Sequence, residues 1–155
     1  MAGKWHNMIV KILCDLCQDW VEKGKYKKVC NGNIDPLPVT YKKQVYFYQP
    51  DLYAMHIDTE KVDVFEVIDT ESDGEAVMDL IYSALTPRIG NLCVVCSDNS
   101  KLEAMKTHAR IILNKIFTEN KEPFLEFNPR YFVYVPREAR VIRTIKKQLK
   151  EQLEF

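Results

Sequence analysis

Apolar side chains fall at Met8, Ile9, Ile12, Leu13, Leu16, Trp20 and Val21, spaced by threes and fours, and predict an amphipathic helix over Trp5–Lys23 stopped by Gly24. From Tyr26 to Lys43, Asn31-Gly32-Asn33 and Asp35-Pro36-Leu37-Pro38 supply turn chemistry, which predicts a loop with at most a short strand at Tyr26–Cys30. Gln44–Tyr48, rich in aromatic and branched residues, reads as a strand leading into Pro50, where a bend or bulge is expected because proline has no N–H for a ladder. Two strand-like runs follow, Gln49-Pro50-Asp51-Leu52-Tyr53 and Val62–Asp69, separated by Asp58-Thr59-Glu60-Lys61.

Ser72 and Glu75 form a capping box ahead of a helix whose apolar stripe is Val77, Leu80, Ile81, Ala84 and Leu85, with Glu75, Asp79 and Tyr82 on another stripe. Leu92–Cys96 is a continuous apolar run and predicts a strand buried on both faces, in the middle of a sheet. Ser100 and Glu103 repeat the capping box for a helix reaching about Phe117. Glu122–Arg130 reads as a loop, Tyr131–Val135 as a strand, and Arg137–Leu153 as a final helix with Val141, Ile145, Leu149 and Leu153 inward. Strands followed by alternating helix and strand imply an α/β protein with a central mixed sheet and helices on both faces.

At 155 residues with 46% hydrophobic content, the chain suits one domain, 1–155. It contains no apolar run of membrane-spanning length and no secretory-signal pattern at its start, so a cytoplasmic or otherwise intracellular protein without a membrane partner is expected. Five cysteines without a regular framework fit a reducing compartment, with the thiols packed as small hydrophobes.

Charge is balanced overall, at 22 basic and 22 acidic residues, but unevenly distributed. Glu22–Lys43 carries six lysines against two acids, Arg137–Lys150 six basic residues against one acid, and Asp58–Asp79 nine acids against one lysine. Basic flanks around an acidic centre suit a cleft that holds metal and draws in a polyanion, although such runs also serve as plain solvated faces. Lys25, Lys27, Lys28, Lys42 and Lys43 in the first flank, with Arg137 and Arg140 in the second, are the candidate nucleic-acid contacts.

A tight turn centred between Thr59 and Glu60 would oppose residues whose numbers sum to 119, setting Asp51 across from Ile68 and Tyr53 across from Glu66. With a period of two, Asp51, Glu66 and Ile68 then share a face, while a slip of one residue would separate the carboxylates. Val62, Val64 and Ile68 beside Glu66 predict that it is buried, where an unpaired charge is costly.

These residues, with the order of elements around them, resemble the PD-(D/E)XK nuclease superfamily from the first helix to the last strand. The matching positions are Pro50-Asp51, Glu66-Val67-Ile68 on the next strand, the helix Glu75–Leu85 and the strand Leu92–Cys96. The resemblance implies a restriction-endonuclease-like three-layer fold acting on or binding DNA, with Mg²⁺ or Mn²⁺ held by Asp51, Glu66 and the carbonyl of Val67. Glu22, where many members carry an additional acid, would position a metal-bound water. A divalent ion so held neutralises phosphate charge and generates hydroxide, and a homodimer would suit cleavage of both strands of a duplex.

One signature residue departs from the pattern. The family's lysine, which orients the attacking water and stabilises developing charge, is replaced by Ile68, and Lys43 or Lys61 would have to substitute for it. The alternative is a non-enzymatic module that binds nucleic acid or protein on a nuclease-like scaffold. An open carboxylate cluster near a lysine would favour the enzyme, and a closed or apolar cleft around Ile68 the module. Cys14/Cys17 and Cys93/Cys96 lack zinc-knuckle context, His6, His56 and His108 show no nucleophile partner, and the five glycines form no phosphate loop.

Overall fold

The computed structural model describes residues 3–72, 74–76, 78–79, 86, 88–120 and 131–154. Helix α1 (Lys4–Glu22) buries Trp5, Ile9, Ile12, Leu13, Leu16, Cys17 and Trp20 along one stripe and ends at Gly24, whose φ of 81° is the left-handed conformation that glycine adopts without strain. Five strands form the central sheet: β1 (Tyr26–Cys30), β4 (Leu52–His56), β5 (Val62–Ile68), β6 (Ile89–Cys96) and β7 (Phe132–Tyr134), in the spatial order β1-β4-β5-β6-β7. β1/β4 and β4/β5 are antiparallel, whereas β5/β6 and β6/β7 are parallel, so the sheet is mixed. β2 (Leu37–Tyr41) and β3 (Gln44–Tyr48) form a separate two-stranded ribbon.

Helices cover both faces. Phe65, Val67, Cys93, Val95 and Val133 pack in one cluster with α1 and with Ile145 and Leu149 of α3 (Ile142–Gln152). Val62, Val64, Ile68, Leu92, Val94 and Cys96 pack in a second cluster with Leu102, Met105 and Ala109 of α2 (Asn99–Asn120), joined by Leu37, Val39 and Tyr48 of the ribbon. Every residue of β5 is buried, as a strand sandwiched between two layers requires. Among the described residues no helix is long and apolar enough to cross a membrane.

Several expectations shift. β4 and β5 pair with Leu52 opposite Phe65 and Tyr53 opposite Val64, so opposed numbers sum to 117 rather than 119. A slip of two residues preserves the period of two, so the predicted faces survive although Tyr53 does not oppose Glu66. The segment read as a loop before Lys43 contains a full strand, β2, where Pro38 is tolerated because, among the described residues, the ribbon has no further strand to accept a donor from it. α2 is capped by Asp98, whose Oδ1 accepts the N–H of Lys101 at 3.0 Å, and not by Ser100. The last helix starts at Ile142, since Arg137–Val141 is a turn and an extended lead-in. Ser72 does cap, its Oγ accepting the Glu75 N–H at 3.2 Å, and 74–76 and 78–79 are helical. The remainder of the predicted helix to Leu85 and the predicted loop Glu122–Arg130 lie outside the described residues.

Candidate functional site

The C-terminal ends of the parallel strands β5, β6 and β7 meet at one edge of the sheet, the usual place for a site in an α/β fold. Because β4 runs against β5, its start lies at the same edge and carries Asp51 there. Extending the pairing by one residue puts Asp51 opposite Glu66, and the two residues lock together through the backbone. The Val67 N–H donates to Asp51 Oδ2 at 2.8 Å, and the Asp51 backbone N–H donates to Glu66. The start of α1 adds His6, whose Nε2 lies 3.1 Å from Asp51 Oδ1. That contact holds the His6 pKa above its ordinary value.

Glu66 is 4% exposed and sits between Val64 and Ile68 on the α2 face of β5. Tyr48, arriving from the ribbon, donates its hydroxyl to Glu66 Oε1 at 2.7 Å. Burial first, and then the negative charge of Asp51 and Asp79, push the Glu66 pKa well above the carboxylate range. Asp79 is hydrogen-bonded to Glu66 and is itself pushed up to about 6 by burial and by Asp51. Asp51, Glu66 and Asp79 therefore converge, with Glu66 buried at the centre.

Next along the edge, Asp69 Oδ1 accepts the Ser97 hydroxyl at 2.5 Å and two N–H groups of Arg137 at 2.9 and 2.6 Å. These donors outweigh its partial burial and hold the Asp69 pKa below its usual value. The Arg137 guanidinium is thus committed to Asp69, and that of Arg140 to the carbonyls of Arg137 and Ala139.

The remaining candidates are dispersed. Glu22 lies exposed in the last turn of α1, sixteen residues past His6 and so about 24 Å along the axis from the end that meets Asp51. The structure does not bring it to the carboxyl pair. Lys25 lies over the rings of Trp20 and Tyr26, 4.9 and 5.3 Å from their centroids, and burial lowers its pKa. Lys27 and Lys28 are exposed on the edge strand β1, and Lys42 and Lys43 are exposed at the tip of the ribbon. Lys61 precedes β5 at the opposite end from Ile68 and cannot replace a lysine there.

The donors at Asp51 and Glu66 do not fit a divalent ion as they stand. Mg²⁺ and Mn²⁺ need charged oxygens and room for coordinated water. Both Asp51 oxygens already accept N–H groups, while Glu66 is buried and bound to Tyr48. Val67 offers Asp51 its N–H. Among the described residues no group of three or more His, Cys, Asp and Glu side chains could hold a metal ion. The position of the expected lysine, Ile68, is fully buried.

At the other end of β5 stands a second polar cluster. Asp63, completely buried, accepts the Tyr26 hydroxyl at 2.7 Å, the Asn91 N–H at 2.8 Å and the Asn91 side-chain amide at 3.1 Å. His56 Nε2 lies 2.8 Å from Asp63 Oδ2 without the alignment of a hydrogen bond. This cluster ties β1, β4, β5 and β6 together.

An NMR titration should place the His6 pKa above 6.5, and Asp51→Asn should move it down. An unshifted His6 in that variant would mean that Asp51 is not its partner. Comparison of the chain with protein-family models, with curated proteins and with solved structures gives no match.

Proposed function

We propose that this chain is a non-cleaving, nuclease-like α/β scaffold that works as a nucleic-acid-binding module. The observation that carries this reading is the closure of Glu66, which is 4% exposed and capped by Tyr48 where a nuclease needs an open carboxylate. Ile68, fully buried, adds no group that could orient water or stabilise developing charge. The nuclease-like part of the reading is supported by Pro50-Asp51 and Glu66-Val67-Ile68 lying on adjacent antiparallel strands behind an N-terminal helix, with a parallel strand beyond them. Convergence of Asp51, Glu66 and Asp79 is what a former metal site would leave behind. Exposed Lys27, Lys28, Lys42 and Lys43 support a polyanionic partner.

Labelled oligonucleotides followed by fluorescence anisotropy, alongside a plasmid-nicking assay in Mg²⁺ and Mn²⁺, test this reading. Binding that is indifferent to chelator, without nicking, is the expected result. Metal-dependent nicking that disappears in Asp51→Asn and Glu66→Gln would restore the enzyme, and absence of any binding would remove the module.

A further inference from the structure

The β2–β3 ribbon departs from local rules in two places. Its inward face buries Leu37, Val39 and Tyr48, but the register pairs Pro38 with Phe47 and Thr40 with Val45 on the outward face. Phe47 is 71% exposed and Val45 57% exposed, on a face where alternation calls for polar side chains. At the tip, Lys42 and Lys43 have φ of 48° and 67°. A two-residue hairpin loop with both central residues at positive φ is the type that favours Asn-Gly, and lysine adopts it only under strain. From Pro36 to Pro50 the chain contains no carboxylate.

We propose that the outward face and tip of this ribbon dock single-stranded nucleic acid, with Lys42 and Lys43 taking backbone phosphates and Phe47 stacking on a base. The inference rests on the binding-module reading and names the surface that does the binding. An anionic partner complements the charge of an element whose own sequence bears two cations and no acid. It must also present flat apolar faces to an isolated aromatic ring a few residues away on β3. A single strand has both, whereas the bases of a duplex are stacked away from such a ring. Tolerating strain at the tip in order to keep two lysines, and solvent contact at Phe47 to keep a ring, are local conflicts of the kind that collect at functional surfaces.

Replacing Lys42→Asn together with Lys43→Gly separates binding from folding, because it supplies the residues the turn prefers while removing both charges. The melting temperature should hold or rise. Affinity for a labelled oligothymidylate should fall about tenfold, and the slope of log affinity against log salt should shrink by about 1.4, since each phosphate contact on a single strand contributes about 0.7. Phe47→Thr should also cost about tenfold, with the salt slope unchanged. A wild-type protein that binds while both variants bind equally well would overturn the ribbon and leave the module standing. A wild type that binds no nucleic acid would overturn both. Preference for duplex over single strand, or concentration-dependent dimerisation that Phe47→Thr abolishes without any oligonucleotide binding, would also overturn the assignment.

Discussion

Asp63→Ala is expected to destabilise the fold by about 3–5 kcal/mol in urea denaturation at neutral pH, a large part of the roughly 5–15 kcal/mol that holds a domain together. Among the described residues the side chain is the only acceptor of the buried Tyr26 hydroxyl, and it also takes two donors from Asn91. Removing it strands these groups, and each buried donor left without a partner costs about 1–3 kcal/mol. Asp63→Asn keeps the volume but must turn an amide N–H₂ toward a donor, so about half that loss is expected, and this variant gives a reading if the alanine form does not fold. Gly90 makes the test specific. A Cβ there would lie 2.5 Å from Asp63 Oδ1, so Gly90→Ala alone should cost about 1–3 kcal/mol and much less in the Asp63→Ala background. Additive losses, or a loss under about 1 kcal/mol for Asp63→Ala, would mean that the cluster does not tie the four strands.

Legibility in the sequence followed the range of the interaction that decides each feature. The stripe of α1, the buried run of β6 and the helix around Leu102, Met105 and Ala109 were readable because burial leaves a period in the residues themselves. The faces of Asp51 and Glu66 were readable for the same reason, although the register was off by two. β2 was hidden because Pro36, Pro38 and the preceding Asn31-Gly32-Asn33 outweigh Leu37, Val39 and Tyr41 in any local reading. It forms because Leu37 and Val39 find the core beneath α2. The α2 cap moved to Asp98 because two residues of cap type stand two apart, and the choice between them depends on where β6 releases the chain.

At the site, the sequence named the carboxyl pair but not what surrounds it. His6 reaches Asp51 across forty-five positions, and Tyr48 reaches Glu66 from a ribbon of which only β3 has a local signal. Asp79 lies on a different stripe from the apolar positions of its helix in the sequence, yet it is hydrogen-bonded to Glu66. One local signal for Asp63 did exist: a second carboxylate in the continuous run Val62–Ile68, on the opposite face from Glu66, must be buried if the strand is sandwiched. Its partners Tyr26, His56 and Asn91 come from three other strands, and only the folded sheet brings them together.

Glu66→Gln should make the protein more stable than wild type at pH 8 and leave it no more stable at pH 4. With its folded pKa raised well above 4.5, Glu66 contributes no penalty while both states are protonated. Above the unfolded value the unfolded chain releases its proton and the folded chain keeps it. Stability therefore falls as pH rises, by about 1.4 kcal/mol per pH unit for the one proton retained. Asp79 acts with the same sign between 3.8 and about 6, and His6 continues the decline above 6.5, since its raised pKa gives stability that is lost as pH rises through the folded value. Asp69 acts oppositely, its lowered pKa giving stability that is lost as pH falls below 3.8. Stability should accordingly peak at about pH 4–5 rather than near neutrality. Glutamine keeps a carbonyl for the Tyr48 hydroxyl but has no proton to lose, so its stability curve should be flatter than wild type from pH 5 upward by about 1.4 kcal/mol per unit. Tyr48→Phe, which removes the donor that favours the ionised form, should carry the wild-type decline to higher pH. Parallel curves for wild type and Glu66→Gln from chemical denaturation across this range would show that Glu66 is ionised in the fold, and with that the closed site would have to be read as an open one.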